Sequence, residues 1–532
     1  MDGIVVPRAS LVDALRDPRA YPHPVDRVSV IETHISWVFL AGDYAYKVKK
    51  PVKLPFVDFA TLESRRYYCQ EELRLNRRVA PRLYLDVVPI AGDPPAIGQA
   101  GNPVEYAVKM RRFAQDDLLS MRARRGTLTP AIVDALAEKV AAMHASAPVA
   151  ARVPREDAAQ RAAQPALDNF VQLRRLEHRP AKRHQLDALK QWTTTERGAL
   201  AGVFGDRCDR GFVRECHGDL HLGNVALVDG EPMPFDALEF SARLRFGDVM
   251  SDVGFMVMDL VHEGLPGLAA RFLNSYLEIT GDYEGLRVLR FYLVYRALVR
   301  AKVALIRAAQ ERGVAARHDA DLASFDSHLR IAGALAGDGH AMLVAMHGPS
   351  GSGKTRESQQ LLEALGAVRL RSDVERKRLH GYAPGQSSHS APAEGIYTQH
   401  EGRRVYARLA EIAEIALKSG WPVIVDAACL ERSQRDLFAA VALRTGVPLR
   451  VVSCAAPLAT LRARIAHRAA QGHDASEAGL AVLDLQLAAQ QPLGADEMEH
   501  VTVLDTTRWP ATAEAASFVS AYAGAGLGHR AA

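Results

Sequence analysis

Eight residues, Gly348-Pro349-Ser350-Gly351-Ser352-Gly353-Lys354-Thr355, restrict what the second half of this 532-residue chain can fold into more than any other stretch. They fit G-x-x-x-x-G-K-[ST] at every position. An apolar run from Ala341 to Met346 precedes them, and Leu361, Leu362 and Leu365 share one helix face just after. In a strand, glycine-loop, helix order, successive backbone N–H groups turn inward on phosphate oxygens. The helix N-terminus adds positive potential, Lys354 adds a full charge, and Thr355 offers a hydroxyl to Mg²⁺. Gly348, Ser350, Gly351, Ser352, Gly353, Lys354 and Thr355 are therefore expected to hold a nucleotide, the alternative being an ordinary glycine loop.

The length implies two to four domains. An apolar share of 48% and a charged share of 24% describe a globular chain, and a net charge of +4 argues against a dedicated nucleic-acid binder. The five cysteines form no C-x-x-C pair, which argues against a zinc ribbon or a disulfide framework and for a reducing compartment. The N-terminus lacks a basic and apolar leader pattern, and no apolar run reaches membrane-spanning length, so the expectation is a cytoplasmic protein without membrane partners.

From Val28 the pattern is extended: residues 28–33, 37–40 and 44–48, with a Gly42-Asp43 turn, read as a three-stranded antiparallel start. Alternation puts Lys47 on the opposite face from Tyr46 and Val48. A capping box at Ser10 reads as the start of a short helix. Residues 62–79 read as a helix with two acids, Glu71 and Glu72, competing for a place near its apolar stripe. Residues 131–144 form an amphipathic helix, and residues 149–164 read as helix and loop around Pro154 and Pro165.

The stretch Cys216-His217-Gly218-Asp219-Leu220-His221-Leu222-Gly223-Asn224 is the second informative one. Asp219 and Asn224 have the D-x-x-x-x-N spacing of a phosphotransfer loop, and Asp236 follows an apolar stretch after a Gly230 turn. One acid would accept or orient a hydroxyl proton, while an amide oxygen and a second acid would hold Mg²⁺ on the nucleotide phosphates. A helical zinc pair of His217 and His221 is disfavoured because Gly218 stands where the acid of H-E-x-x-H belongs. Asp248 and Asp252 read as acids that bond backbone N–H groups at a helix start.

With these motifs in place, residues 28–305 resemble the aminoglycoside phosphotransferase and choline kinase-like branch of the protein-kinase fold. The resemblance implies Asp219 as catalytic base, Asn224 and Asp236 as magnesium ligands and Lys47 as the phosphate-pairing lysine. It further implies Glu72, or else Glu71, as the lysine's helix partner, and Asp252 as a brace for the catalytic loop. Residues 32–37, where a glycine-rich flap would lie, contain no glycine, and the resemblance does not extend to a drug substrate.

In the second half, residues 368–370 read as a strand leading into Arg371-Ser372-Asp373, so Asp373 would sit at a strand's carboxyl end, the alternative being a helix cap. Residues 421–426 are a buried-strand pattern ending in Asp426, placed to reach Mg²⁺. Ala427 follows where a hydrolytic pair would have Glu. Arg464 and Arg468 are i, i+4 on one helix, either solvated or closing on phosphates. This set is similar to the small P-loop kinases, near gluconate and shikimate kinases, zeta toxins and polynucleotide kinases. That similarity implies Asp373 on the substrate hydroxyl and Arg464 and Arg468 on the phosphates.

The order of the two halves resembles the bifunctional aminoglycoside phosphotransferase/ATP-binding proteins. The expectation is an α+β bilobal kinase-like domain over residues 1–335, then an α/β P-loop domain with a parallel sheet over residues 336–532, joined by a linker at 333–340 and ending in a disordered tail from 523. Both would use ATP and Mg²⁺ to phosphorylate hydroxyls of small molecules. The alternatives are a nucleotide-sensing regulator and a nucleic-acid end kinase.

Overall fold

The computed structural model describes residues 8–54, 57–310, 315–337, 339–388, 390, 394–471 and 479–507; the tail expected from 523 lies outside them. Packing divides the chain into two compact units, residues 1–154 with 206–252, and residues 155–205 with 253–532.

The first unit is built on an antiparallel sheet. Strands β1 (Val28–Glu32), β2 (Ser36–Ala41) and β3 (Tyr44–Lys49) form the expected meander, and a two-residue ribbon, β4 (Lys53–Leu54) with β5 (Val57–Asp58), follows it. Strands β6 (Tyr84–Ala91), β7 (Ala96–Ile97) and β8 (Glu105–Arg111) complete a six-stranded sheet of order β1-β2-β3-β8-β6-β7. Alternation divides β3 as the sequence requires. Tyr46 and Val48 join Leu15, Phe39 and Ile90 in the apolar cluster on one face. Lys47 and Lys49 look the other way, towards the helix Leu62–Arg77, which packs on β6 and β8 and is capped where Thr61 Oγ1 accepts the Ser64 N–H.

The first helix runs Arg8–Ala14, so Ser10 lies within it and is not its cap. Strand β9 (Val213–Glu215) pairs with β12 (Phe246–Asp248), and β10 (Val225–Val228) forms a hairpin with β11 (Glu231–Pro234). Asp229 and Gly230, both at positive φ (51° and 81°), make the two-residue turn whose twist matches the strands.

In the second unit a parallel sheet has the order β14-β15-β13-β16-β17, with β13 (Leu343–His347), β14 (Val368–Arg371), β15 (Val423–Asp426), β16 (Leu449–Ala455) and β17 (Val501–Asp505). Strands β13 and β15 are buried along their whole length, as parallel strands covered on both faces are. The helices Arg155–Leu176, Pro180–Ala199, Leu286–Gln310 and Ala315–Ala336 pack on one another. Two expectations are corrected here. Pro165 does not break the first of these helices, because the carbonyl it leaves unpaired belongs to Arg161, which is exposed to water. Residues 333–336 are the last turn of the fourth rather than linker.

The packing boundary does not coincide with the expected domain boundary at 335/336. The helix Pro266–Thr280 lies along β14, where Asn274 Nδ2 donates to Ala367 O at 2.8 Å and Arg369 N–H donates to Asn274 Oδ1 at 2.6 Å. Trp421 Nε1 donates to Leu286 O at 3.2 Å. Residues N-terminal to 335 thus complete the parallel-sheet unit.

Candidate active sites

In the first unit, the lysine face of β3 meets the inner face of the helix Leu62–Arg77. Lys47 Nζ is 2.8 Å from Glu72 Oε1 and also contacts Asp236 Oδ1, while Lys49 Nζ is 2.7 Å from Glu72 Oε2 and contacts Glu239 Oε1. Glu71 faces elsewhere, onto Arg74 at 2.9 Å and Arg245. Lys49, Glu72 and Glu239 are buried, so none of these charges has water to fall back on. Burial pushes Glu72 upward, but the two lysines outweigh it and hold the carboxyl down at about 2. Burial opposes the charge on Lys47 too, yet Asp236 and Glu72 keep its pKa well above the usual lysine value. For Glu239 burial wins and its pKa rises despite Lys49.

Asp236 adopts a left-handed φ of 63°, a conformation that costs a non-glycine residue energy and is held here by its neighbours. Its N–H donates to Tyr84 Oη at 3.0 Å, and the next N–H, of Ala237, donates to Asn76 Oδ1 at 2.9 Å. The segment 216–224 is loop and a single 3-10 turn, Leu222–Asn224, which removes the helical geometry a zinc pair would need. Within it Asn224 Nδ2 donates to Asp219 O at 3.0 Å and to Asp219 Oδ2 at 3.1 Å. His217 accepts the Asp219 N–H on Nδ1 at 3.3 Å and donates Nε2–H to Phe235 O at 2.9 Å, which defines a neutral tautomer; burial lowers its pKa in keeping with that. One imidazole thereby ties the Asp219 loop to the Asp236 loop.

Asp252 lies in the first turn of the helix Val249–His262, fully buried. Its oxygens accept the N–H groups of His217 at 2.7 Å and Gly218 at 3.0 Å. His144 Nε2 lies 3.4 Å from the same carboxylate. His144, Cys216 and Asp252 are close enough for a metal, but Asp252 is committed to two backbone N–H groups and Cys216 Sγ to Gly247 O at 3.3 Å. Asp248 accepts the Met250 N–H at 2.9 Å at the start of the same helix and also holds Arg207 with two bonds, of 2.6 and 2.8 Å.

Five residues of this site were not anticipated: Lys49, Asn76, Tyr84, His144 and Glu239. For Lys49 the signal was present, since period-2 alternation puts it on the same face as Lys47.

In the second unit, the glycine loop joins β13 to the helix Lys354–Leu365. A Cβ on Gly348 (φ 136°) would lie 2.7 Å from Cys454 O, and one on Gly351 (φ 81°) 2.7 Å from Leu461 O, so backbone shape and space both demand glycine. Lys354 Nζ donates to Pro349 O at 2.9 Å, and burial lowers its pKa against the pull of Asp426. Ser350 N–H donates to Gln486 Oε1 at 2.7 Å. Thr506 Oγ1 donates to Ser352 O at 2.8 Å, and Arg464 steadies the same corner through Gly351 O at 3.2 Å and Thr506 Oγ1 at 3.0 Å.

A cavity of about 850 Å³ opens over this loop, and Ser350, Gly351, Gly353, Lys354, Thr355, Asp373, Asp426, Arg464 and Arg468 all line it. Gly348 and Ser352 lie beneath; the Ser352 side chain is fully buried. Asp373 is the second residue of the helix Ser372–Leu379, whose cap position is Arg371, so Asp373 does not serve as the cap. Asp426 ends β15, with Arg371 Nε at 3.9 Å. Gln486 and Thr506 were not anticipated, because neither belongs to a motif.

Comparison with known proteins finds two families along the chain. Residues 66–292 match the family model described as "Phosphotransferase enzyme family", and residues 343–493 match that described as "AAA domain". The uncharacterized protein Rv2004c of Mycobacterium tuberculosis is 31% identical over 475 residues, spanning 88% of this chain and 92% of that protein. Among solved structures, a choline/ethanolamine kinase family protein from Mesorhizobium loti is 17% identical, with a TM-score of 0.37, over 60% of this chain and 97% of its own. A gluconokinase from Sinorhizobium meliloti is 24% identical, with a TM-score of 0.24, over 37% of this chain and 95% of its own.

Proposed function

The chain belongs to the two-domain family that includes Rv2004c, in which a phosphotransferase domain precedes a P-loop kinase-like domain, and from that premise we propose a tandem ATP- and Mg²⁺-dependent kinase, with residues 1–335 and 336–532 each phosphorylating hydroxyls of small molecules. The observation that carries this reading is the charge network of the first unit, in which Lys47 stands between Glu72 and Asp236 while Asn224 ties its side chain to Asp219.

Asp219 accepts the proton of the acceptor hydroxyl as the new O–P bond forms, and Asn224 Nδ2 fixes the orientation of its carboxylate. Lys47 pairs with the nucleotide phosphates, aimed by Glu72. Because Asn224 spends its N–H bonds on Asp219, its amide oxygen remains for a cation, and the Asp236 carboxylate is 42% exposed. These are the hard oxygen donors Mg²⁺ takes. Bound Mg²⁺ supplies charge neutralisation on the phosphates. Asp252 and His217 keep the Asp219 and Asp236 loops in register while charge develops.

In the second half the loop N–H groups and Lys354 hold the phosphates, Thr355 and Asp426 provide oxygen for Mg²⁺, and Asp373 orients the acceptor hydroxyl. Arg464 and Arg468 approach from the helix Leu458–Gln471 and offset the charge on the transferred group. Cytoplasmic residence is part of the same reading. All five cysteines are free and buried, and among the described residues no helix is long and apolar enough to cross a membrane.

The test is transfer of labelled phosphate from ATP to a metabolite panel by the full-length chain carrying Lys354→Ala. Adding Asp219→Asn is expected to lower the remaining rate by about 10² to 10⁴, since an amide does not accept the proton, with Mg-ATP affinity little changed. An unaltered rate removes Asp219 from the chemistry.

A further inference from the structure

Six arginines among the described residues line the cavity over the glycine loop, including Arg371, Arg403 on the helix Gln399–Lys418, and the paired Arg464 and Arg468. Arg371 stands on the strand beside that of a proposed metal ligand. It is the register partner of Asp426 in the pairing of β14 with β15, and its Nε lies 3.9 Å from Asp426 Oδ2. Two residues earlier on β14, Arg369 shares its face of the sheet. Arg369 reaches the helix after the glycine loop, donating from Nη1 to Thr355 O and Ser358 Oγ, each at 3.5 Å. The two guanidiniums therefore border Asp426 and Thr355, whose carboxylate and hydroxyl oxygens are hard donors of the kind Mg²⁺ takes. A cation approaching the buried Asp426 carboxylate meets Arg371 as a rival.

The opposing charge comes from the other side of residue 335. Glu278 takes one arginine on each oxygen: Oε1 accepts from Arg369 Nη2 at 2.8 Å and Nε at 3.2 Å, and Oε2 accepts from Arg371 Nη1 at 3.4 Å. All three side chains are largely buried, so water and salt screen little of this attraction. Glu278 lies in the last turn of the helix Pro266–Thr280, where the negative end of the helix dipole disfavours an acid. Its place is held from outside the helix. Arg378 Nη2 donates to Glu278 O at 2.6 Å, and Asn274, one turn earlier on the same helix face, fixes the helix on β14 through Ala367 and Arg369.

We propose that Glu278 is a positioning residue of the P-loop site: by holding Arg369 and Arg371 it keeps the Asp426 carboxylate open to Mg²⁺, so that a helix N-terminal to 335 sets the metal requirement of the second site. This role rests on the reading of the second half as a Mg²⁺-dependent nucleotide site. Glu278 is not among the described residues that line the cavity, and it acts through Arg371. With its charge removed, Arg371 pairs with Asp426, and a cation then has to displace a guanidinium to reach that carboxylate. The positive charge left near the phosphates does not impair the nucleotide itself, so metal-free and metal-dependent binding part company.

The experiment follows AMP-PNP binding to the full-length chain by calorimetry, in EDTA and across a Mg²⁺ series, and takes as the second-site signal the binding that Lys354→Ala weakens. Glu278→Gln keeps the size of the side chain and an acceptor oxygen but not the charge. It is expected to raise the Mg²⁺ concentration for half-maximal binding by roughly tenfold or more, as loss of a group behind a metal ligand does, while affinity in EDTA falls by no more than about twofold. Arg371→Gln is expected to move the Mg²⁺ requirement the other way, downward, and the double variant to lose most of the rise seen with Glu278→Gln alone. A residue that only held the fold together would weaken binding with and without metal alike, and that result overturns the proposal. So does an unchanged Mg²⁺ requirement in Glu278→Gln, or an unchanged or raised one in Arg371→Gln, a variant that decides the matter even where Glu278→Gln does not fold. Failure of the underlying reading looks different: Lys354→Ala would then leave every AMP-PNP binding event intact.

Discussion

The two sites prepare for phosphate in opposite ways. In the first unit charges face charges: Lys47 and Lys49 share Glu72, and Asp236 and Glu239 close the set, so each group is held by an opposite charge. In the second unit the recognition surface is main chain, shaped by glycines no larger residue can replace, and its one lysine is bonded only to a carbonyl of its own loop. A network of side chains makes geometry and stability one property. A backbone cradle separates them, because the lysine can be removed without orphaning a counter-ion.

The substitution with the largest expected effect breaks the network at its most buried member. Lys49→Met leaves Glu72 and Glu239 short of a counter-charge in the interior, at a cost of about 3 to 5 kcal/mol. Calorimetry should show the melting of the first unit falling by roughly 10 °C, with Lys49→Arg recovering part of it. A drop no larger than that of an exposed lysine variant would mean the network carries no stability.

Lys354→Ala is the converse case. It is expected to change thermal stability by less than about 1 kcal/mol, since burial already disfavours the charge. It should nonetheless weaken ATP binding at the second site by roughly tenfold or more, the worth of a charge-assisted phosphate contact. Destabilisation comparable to that of Lys49→Met would erase the contrast between the sites.

The smallest effect is a divergence of the two units in mild acid. In the second unit, burial lowers His347 from 6.5 to about 4 and His328 from 6.5 to about 3. Both are neutral in the fold while the unfolded chain takes up protons first. Their contribution is complete above about pH 6.5 and is lost as the pH falls through 6.5 towards those values. In the first unit, burial raises Glu105 from 4.5 to about 6 against the pull of Arg65. There the folded form takes the proton first, and stability rises as the pH falls from 6 to 4.5. Glu72, held at about 2, begins to lose its contribution only below 4.5. Between pH 6.5 and 4.5 the melting transition of the second unit should therefore drop relative to the first by a few degrees, and His347→Gln should flatten that slope. Transitions that move together would contradict it.

The legible parts of this molecule were those with a period or a motif. Alternation in β3 gave the side of the sheet on which Lys47 lies, and the glycine spacing gave the loop between β13 and its helix. Glu71 and Glu72 stayed undecided because adjacent helix positions differ in direction by an angle that the sequence pattern resolves only once the facing strand is known. Nothing in the sequence marks Lys49 as buried, since a charged residue is ordinarily expected in water. Glu239 sits in a loop, where no periodicity marks the inner face. Arg403 and Gln486 reach the cavity from helices far apart in sequence, and only the tertiary fold brings them together. The run through Pro165 depended on which carbonyl faces solvent, a property of the packed helix.

Asn274 has a consequence for any attempt to divide the chain. Strand β14 ends the parallel sheet, and two main-chain groups on its open side, Ala367 C=O and Arg369 N–H, are taken by the amide of that single side chain. A fragment beginning at 336 would lack it, and would also strip Arg369 of Glu278, its partner at 2.8 Å. The bared border would then be open to strands of other molecules, so such a fragment should self-associate, and Asn274→Leu should bring some of that stickiness to the intact protein.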